Sequence, residues 1–272
     1  MDAPALQLDG VSCTFVAADD PGARYTAVAD ASVTVAAGEF VSVVGPTGCG
    51  KSTLLNVAAG LLAPSSGSVH VFGRPLAEFD EGINARAGYM FQAESLMPWR
   101  TARGNVMAGL EFRGVPAAEA RRQADAWLAR VGLAAFGDRY PHQLSGGMRK
   151  RTSLAQTLAL DPDIILMDEP FSALDIQTRQ LMENEVLQLW AARRKAVLFI
   201  THDLDEAIAM SDRVLVMSAG PAARVIGEFV IDLARPRDVT EIRTTPRFLE
   251  LHGAIWDVLR EEVLKGYRQQ LK

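Results

Sequence analysis

A glycine-rich stretch that ends in a lysine and two hydroxyl residues is the first place in this chain where chemistry is suggested, GPTGCGKST at residues 45–53. Glycines allow successive backbone N–H groups to turn toward one point and form a cradle for an anion. A helix that begins at about Lys51 would direct its positive end at the same point. Lys51 is then placed to reach the β- and γ-phosphates of a nucleotide, and the Ser52 hydroxyl to bind Mg²⁺. The predicted nucleotide contacts are Gly45, Pro46, Thr47, Gly48, Cys49, Gly50, Lys51, Ser52 and Thr53.

A pair of carboxylates ends a short apolar run further along the chain. Residues 164–167 are apolar, and Asp168 and Glu169 follow them directly. If the run is a strand of a parallel sheet, both carboxylates lie at the edge where ligands bind. Asp168 is then placed to hold Mg²⁺, through water, and Glu169 to orient or deprotonate a water that attacks the γ-phosphate. The phosphate-type loop in the same chain favours this interpretation over a solvated acidic turn ahead of Pro170.

Strands and helices must position these groups, and their pattern indicates an α/β fold. Four apolar runs predict strands buried on both faces, as in the middle of a parallel sheet. They are residues 40–44, 164–167, 196–200 and 214–217. Three segments near the start alternate between apolar and polar types, as in a half-exposed antiparallel sheet. They are residues 6–9, 12–16 and 32–35.

Two other stretches have helical spacing. Residues 101–160 show little strand character, and a helix is predicted from Pro116 to about Val131, so this part is interpreted as a helical insertion in the α/β core. From Pro246 onward apolar residues recur on one face, which predicts an amphipathic C-terminal helix. They are Phe248, Leu251, Ile255, Leu259 and Val263. Two roles are open for this helix, regulation or the covering of an apolar face, and packing is the one we favour.

Composition limits the classes of function. The chain has 272 residues, of which 49% are apolar and 22% charged, as in an ordinary globular protein. Its net charge of −5 disfavours a basic nucleic-acid-binding surface, so no nucleic-acid partner is expected. Two cysteines do not make a disulfide framework, and no uncharged run is continuous enough in apolar residues to cross a bilayer. We therefore expect a soluble chain.

A third motif allows the pattern to be compared with a known family. Residues 144–148 read LSGGM and precede a helical pattern, so that Ser145, Gly146 and Gly147 lie at a helix N-terminus, another anion-binding end. With this motif, residues 6–232 resemble the ATPase subunits of ABC transporters. In that resemblance residues 45–53 match Walker A, and residues 144–148 match the signature, although Met148 replaces the usual glutamine.

The remaining motifs of that family follow in the expected order. Gln92 matches the Q-loop glutamine, and Asp168 and Glu169 match Walker B and its glutamate. Residues 172–175, SALD, match the D-loop, which ends in Asp175, and His202 matches the switch histidine. The aromatic residue that stacks on adenine would be Phe15 or Tyr25, because residues 17–23 resemble an inserted loop.

The resemblance implies a fold and a division of the chain. The fold would be a P-loop ATPase with a RecA-like parallel-sheet core, an N-terminal antiparallel β-subdomain and an inserted helical subdomain. Residues 1–91 would form the first part of the core, and residues 92–160 the Q-loop and helical subdomain. Residues 161–240 would complete the core, and residues 241–272 would be a C-terminal helical extension.

It also implies a mechanism in which two copies of the chain sandwich two ATP molecules. Walker A of one copy would face the signature of the other, so that Ser145, Gly146, Gly147 and Asp175 contribute to nucleotide binding. The catalytic residues would be Glu169 as base, His202 at the γ-phosphate, Gln92 and Lys51. Mg²⁺ would be held by Ser52, Gln92 and Asp168.

Residues 96–100, LMPWR, narrow the resemblance to importers of nitrate, sulfonate, taurine and bicarbonate, whose ATPases carry the similar segment LLPW. Membership implies a peripheral position at the cytoplasmic face of the membrane and a permease that docks at residues 92–100. An extracytoplasmic solute-binding protein would be an indirect partner. Met97 and Trp99 are either groove residues or core residues. The alternative function is the ATPase of an exporter or of a lipid-extraction complex.

Overall fold

The computed structural model describes residues 3–16, 23–78, 86–93 and 95–270. Two sheets and a set of helices form the described part. The strands are β1 Leu6–Val16, β2 Arg24–Val35, β3 Phe40–Val44, β4 Ser66–Val71, β5 Arg74–Pro75, β6 Ala87–Met90, β7 Ile164–Asp168, β8 Ala196–Ile200, β9 Arg213–Met217 and β10 Val225–Val230. The α-helices are α1 Lys51–Ala58, α2 Ala102–Phe112, α3 Ala117–Arg130, α4 Gly146–Ala159, α5 Ile176–Arg193, α6 Leu204–Met210, α7 Val239–Ile242 and α8 Pro246–Gln270.

The larger sheet has the strand order β10-β9-β3-β8-β7-β6. Strands β6, β7, β8, β3 and β9 pair in parallel, and β10 closes the edge antiparallel to β9. Every residue of β3, β7 and β8 is buried, which matches their uninterrupted apolar sequence. The four predicted central strands are therefore confirmed, and their carboxyl ends lie at one edge of the sheet.

The smaller sheet is antiparallel, with the order β2-β1-β4-β5. It confirms the predicted N-terminal sheet, but β1 is one strand where the pattern suggested two segments. Register shifts between Leu8 and Val11, between Val11 and Cys13 and between Cys13 and Thr14 interrupt the alternation without ending the pairing to β2. The inner face of this sheet shares an apolar core with α1.

Helices α2, α3 and α4 lie between β6 and β7 in the chain, so the predicted helical insertion is confirmed. Thr101 begins α2 by accepting a hydrogen bond from the Gly104 N–H, as a capping hydroxyl does. Val106, Leu128 and Leu154, one from each helix, are buried in a shared core. The helix predicted from Pro116 to Val131 extends from Ala117 to Arg130.

Two details differ from the sequence pattern or cannot be compared with it. In the sequence, apolar residues at helical spacing continue from Leu54 to Leu61, whereas α1 ends at Ala58, because Gly60 adopts a positive φ of 70° and turns the chain. An inserted loop is predicted at residues 17–23, and residues 17–22 of it lie outside the described residues.

The C-terminal helix α8 is amphipathic, as predicted. Phe248, Leu251, Ile255 and Leu259 are buried and join the core that also contains β8 and α6, while Val263 is 38% exposed. Packing against the core is therefore a role of this helix. No helix in the described ranges is long and apolar enough to span a bilayer.

Truncation of Ile255 to alanine should lower the free energy of unfolding by about 2–5 kcal/mol, because it leaves a cavity beneath a fully buried side chain. Leu249 on the same helix is 60% exposed, so Leu249→Ala is the matched control, with an expected change below about 0.5 kcal/mol. Urea denaturation of both variants measures the difference. Equal losses would contradict the assignment of the packed face.

Candidate active site

The loop between β3 and α1 has the backbone geometry of an anion cradle. Gly48 and Gly50 have φ values of 77° and 101°, a region that side chains rarely adopt. A Cβ on Gly50 would also lie 2.8 Å from Val28 Cγ2, so only glycine fits there. The structure places all nine predicted residues in this loop and in the first turn of α1.

Lys51 is held at the centre of the loop. Its side chain is buried, and its Nζ donates hydrogen bonds to the carbonyl oxygens of Gly45, at 2.8 Å, and Pro46, at 2.9 Å. The neighbouring Cys49 is also buried, and burial raises the pKa of its thiol although the positive charge of Lys51 opposes this. Cys49 is thus a packing residue, whereas Lys51 places an ammonium group inside the cradle.

Asp168 and Ser52 meet beside the loop. The Ser52 hydroxyl hydrogen-bonds the Asp168 carboxylate, which ends β7. Burial raises the pKa of Asp168, and the charge of Glu169 raises it further, against the effects of Ser52, Lys150 and Lys51. Asp168 Oδ1 is buried and has no hydrogen-bond partner. A hydroxyl and an unpartnered carboxylate oxygen fit Mg²⁺, which takes few protein ligands and completes its shell with phosphate oxygens and water.

Three side chains predicted to be catalytic lie in contact around Glu169, the residue after Asp168. Glu169 Oε2 accepts a hydrogen bond from Gln92 Nε2 at 3.1 Å and lies 3.2 Å from His202 Nδ1. These residues follow β7, β6 and β8, so the parallel sheet delivers them to one edge. In this arrangement Gln92 binds the predicted base.

The backbone of Glu169 is strained. Its φ is 45°, which is uncommon for a residue other than glycine, and its N–H is fixed to the Ile200 carbonyl oxygen at 2.9 Å. Such conformations persist where the surrounding structure determines them, and they cluster at functional sites. In this conformation the Glu169 side chain contacts Gln92 and His202.

Phe15 and Tyr25, the two candidates for stacking on adenine, face each other across β1 and β2. Both side chains are exposed. Tyr25, but not Phe15, lines a cavity of about 320 Å³ beside the phosphate loop. Its other lining residues are Pro46, Thr47, Gly48, Gly220, Pro221, Gly266 and Gln269. The position favours Tyr25 as the aromatic residue nearest the loop.

The signature residues lie on a different part of the surface. Ser145 caps α4 by accepting a hydrogen bond from the Met148 N–H at 3.3 Å, and it is exposed. A Cβ on Gly147 would lie 3.3 Å from Leu174, so the signature packs against the D-loop of its own chain. Asp175 caps α5, accepting from the Thr178 N–H at 2.9 Å. None of these residues lines the cavity beside the phosphate loop.

Two contributions to this region were not predicted. Lys150 of α4 is buried, and its Nζ donates to the carbonyl oxygens of Phe91, at 2.9 Å, and Gln92, at 2.6 Å, so the signature helix holds the Q-loop backbone. Gly266 and Gln269 bring the end of α8 to the cavity beside the loop. The basic run after the signature was a signal for Lys150, but no local pattern could place the last turns of α8.

Comparison with known proteins identifies the family of the chain. The sequence model of the ABC transporter family matches residues 28–172. The chain belongs to the ABC transporter family. An uncharacterised ABC transporter ATP-binding protein of Methanocaldococcus jannaschii is 47% identical over 248 residues, covering 91% of this chain and 89% of that protein. The nitrate import ATP-binding protein NrtD of Synechococcus elongatus is 38% identical over 256 residues, 93% of this chain and 91% of that protein.

A solved structure gives the same result for the fold. The ATP-binding cassette MJ0796, in a dimeric post-hydrolysis state bound to ADP and phosphate, superimposes with a TM-score of 0.77 at 30% identity. The match covers 84% of this chain and all of that one. The α/β ABC ATPase fold and the resemblance to the nitrate-type group are therefore confirmed. The chain is an ATP-hydrolysing, ATP-binding subunit of a transporter.

Replacement of Glu169 by glutamine should lower the rate of ATP hydrolysis by about 10²–10⁴-fold, because the amide cannot take a proton from water. Nucleotide affinity should change little, since the phosphate loop is untouched. Phosphate release and titration with a fluorescent ATP analogue measure the two properties. Glu250→Gln, on the exposed face of α8, is the control. Full turnover by the Glu169 variant would reject this residue as the base.

Proposed function

We propose that this chain powers an importer for a small solute of the nitrate, sulfonate or taurine type. The observation that carries the proposal is the 3.1 Å hydrogen bond from Gln92 to Glu169. Gln92 stands at the start of an exposed segment, so a protein that docks on this segment can alter the position of the predicted base. Such a link suits an ATPase whose turnover must depend on a membrane partner.

The segment after Gln92 has the properties of a docking site. Trp99 is 73% exposed, which argues against the core alternative for this residue. The backbone nearby is nevertheless fixed, because the buried Asn105 accepts from the Met97 N–H at 2.7 Å and donates to the carbonyl oxygens of Met97, Arg100 and Thr101. An ordered loop that presents a tryptophan to solvent is suited to receive a permease helix.

The solute class and the cellular position come from the family. The nitrate import relative supports import of a small anion, and the LMPWR segment at residues 96–100 resembles the LLPW segment of that group. The permease would place this chain at the cytoplasmic face of the membrane, and an extracytoplasmic solute-binding protein would act through the permease. Functionally, residues 1–91 and 161–240 form the core, 92–160 the coupling and signature part, and 241–272 the C-terminal extension.

A second copy of the chain completes each site in this proposal. The dimeric state of MJ0796 supports it, as does the position of the exposed Ser145 and the half-buried Gly146 and Gly147 outside the cavity beside the phosphate loop. Lys51 and Ser52 bind and orient the phosphates, while Asp168, Ser52 and Gln92 would hold Mg²⁺, which would supply charge neutralisation when bound. Glu169 takes the proton of the attacking water, and His202 keeps Glu169 and the γ-phosphate oriented. Tyr25, with Phe15 opposite, stacks on the base.

Purification of the tagged chain from its own membranes in mild detergent tests the function. Mass spectrometry should find a polytopic permease, and a solute-binding protein encoded beside it should bind a small anion or zwitterion in calorimetry. A permease of exporter type, or a lipid-extraction complex without a solute-binding protein, would establish the alternative. Recovery of soluble partners alone would overturn the transporter assignment for this chain and leave its ATPase chemistry intact.

Mixing two inactive variants tests whether the sites form between copies. Lys51→Ala damages the phosphate loop, and Ser145→Arg damages the signature, so neither variant alone should hydrolyse ATP. With random mixing, half of the dimers are mixed and each has one intact site, so recovery should reach about one quarter of the original rate. A variant that is fully active by itself, or a mixture of folded chains without recovery, would contradict the sandwich.

Replacement of Trp99 by alanine should reduce transport in membrane vesicles at least about tenfold, because the side chain is exposed at the proposed permease contact. The basal ATPase rate of the isolated chain should stay within about twofold. Phe112→Ala, which removes another exposed aromatic residue, is the control for a general surface effect. Loss of basal ATPase activity with a lowered unfolding midpoint would instead place Trp99 among packing residues.

A further inference from the structure

A buried glutamate lies behind the segment that carries His202, and the catalytic scheme does not use it. Glu206 of α6 is only 3% exposed. Its Oε2 accepts a hydrogen bond from the Thr201 hydroxyl at 2.6 Å, and its Oε1 lies 3.7 Å from Arg179 Nη1. Burial of a carboxylate costs free energy, which hydrogen bonds and an opposite charge must offset.

Thr201 connects Glu206 to the backbone on the far side of His202. Thr201 Oγ1, which donates to Glu206, also accepts a hydrogen bond from the Asp203 N–H at 3.0 Å. The Asp203 carboxylate in turn caps α6 by accepting from the N–H groups of Asp205 and Glu206, at 2.9 and 3.2 Å. The residues before and after His202 are therefore fixed, although the His202 side chain itself is 57% exposed.

Arg179 of α5 joins this arrangement to the D-loop. Its Nη1 donates to Asp203 Oδ2 at 3.4 Å, and its Nη2 donates to the Leu174 carbonyl oxygen at 3.3 Å. Leu174 immediately precedes Asp175 and packs against signature Gly147. One guanidinium thus spans the D-loop and the segment that carries the switch histidine, with Glu206 as the buried counter-charge.

We propose that Glu206 and Arg179 are positioning residues that hold His202 against Glu169 and set its position relative to the D-loop. The inference rests on the proposed role of His202 in hydrolysis. A change at the D-loop, where a second copy would dock, reaches the histidine through one guanidinium. Neither residue touches the nucleotide-binding loop, so their effect falls on the turnover rate rather than on nucleotide affinity.

The charges around Glu206 make its attraction for Arg179 sensitive to pH. Burial, together with the carboxylates of Asp203 and Glu183, raises the pKa of Glu206 to about 7 against the opposing effects of the Thr201 hydroxyl and Arg179. Arg243 of α7 pairs with Glu183 at 2.9 Å, and His252 of α8 lies 3.6 Å from Asp205. As the pH falls through 7, Glu206 takes up a proton and loses its attraction for Arg179. The effect of Glu206 on folding stability changes in the other direction with pH. The folded chain binds this proton more tightly than the unfolded chain, so folding stability declines as the pH rises through 7.

The test is Glu206→Gln, which keeps the shape and a hydrogen-bond acceptor for Thr201 but removes the charge. ATPase activity of the full chain is measured with saturating Mg-ATP from about pH 6 to about pH 9. At the alkaline end kcat should fall about tenfold with little change in KM. The decline in activity of the original chain below pH 7 should be weaker in the variant. Asp205→Asn, on the same helix but half-exposed, is the matched control and should behave like the original chain.

A double-mutant cycle separates positioning from a general structural effect. If Glu206 acts through His202, then adding Glu206→Gln to His202→Ala should change kcat by less than about twofold. An additive loss, or an unchanged pH profile in Glu206→Gln, would overturn the positioning role alone. Full activity of His202→Ala would overturn both this inference and the catalytic role of His202, while leaving the proposal of an importer subunit to the co-purification experiment.

Arg179 provides a second set of variants that does not depend on the folding of the glutamate variant. Arg179→Lys keeps a positive charge near Glu206 and Asp203, whereas Arg179→Met keeps only the length of the side chain. The lysine variant should retain several times the kcat of the methionine variant, at equal unfolding midpoints and equal affinity for a fluorescent ATP analogue. Equal kcat in the two variants would contradict a positioning role that depends on the charge of Arg179.

Discussion

The parallel pairing of β6, β7, β8 and β3 is the constraint on which the site depends. Within two residues of its end, each strand is followed by part of the candidate active site: the phosphate loop after β3, Gln92 after β6, Glu169 after β7 and His202 after β8. Parallel strands need long crossover connections, so these residues are far apart in the sequence. The observed register, in which Met90 lies opposite Met167 and Asp168 opposite Ile200, brings the side chains that follow these strands to hydrogen-bonding distance.

The helical insertion is connected to this edge by polar contacts rather than by the sheet. Lys150 holds the carbonyl oxygens of Phe91 and Gln92, and Gln92 in turn binds Glu169. A displacement of the signature helix therefore changes the surroundings of the predicted base. Since the same segment presents Trp99 to solvent, the surface proposed for the permease and the carboxylate proposed for catalysis belong to one connected unit.

Buried charge is concentrated where the structure must hold a loop in place. Asp168, Lys51 and Lys150 are buried at the candidate active site, and Glu206 is buried behind the segment that carries His202, while Glu183, Arg237 and Glu262 are buried elsewhere in the fold. Buried charges are costly and require well-placed partners. The partners here are mostly loop carbonyls, hydroxyls and opposite charges, so the same interactions that compensate the buried charges also order the loops.

The sequence by itself determined the central strands, the phosphate loop, the helical insertion and the amphipathic α8, because each depends on local residue types or on short-range periodicity. It also determined which residues could do chemistry, since glycine, lysine and carboxylate patterns are local. It could not choose between Phe15 and Tyr25, or find Lys150, Arg179 and Glu206. Those roles depend on which segments meet after folding, and only the tertiary structure brings together side chains whose partners are distant in the chain.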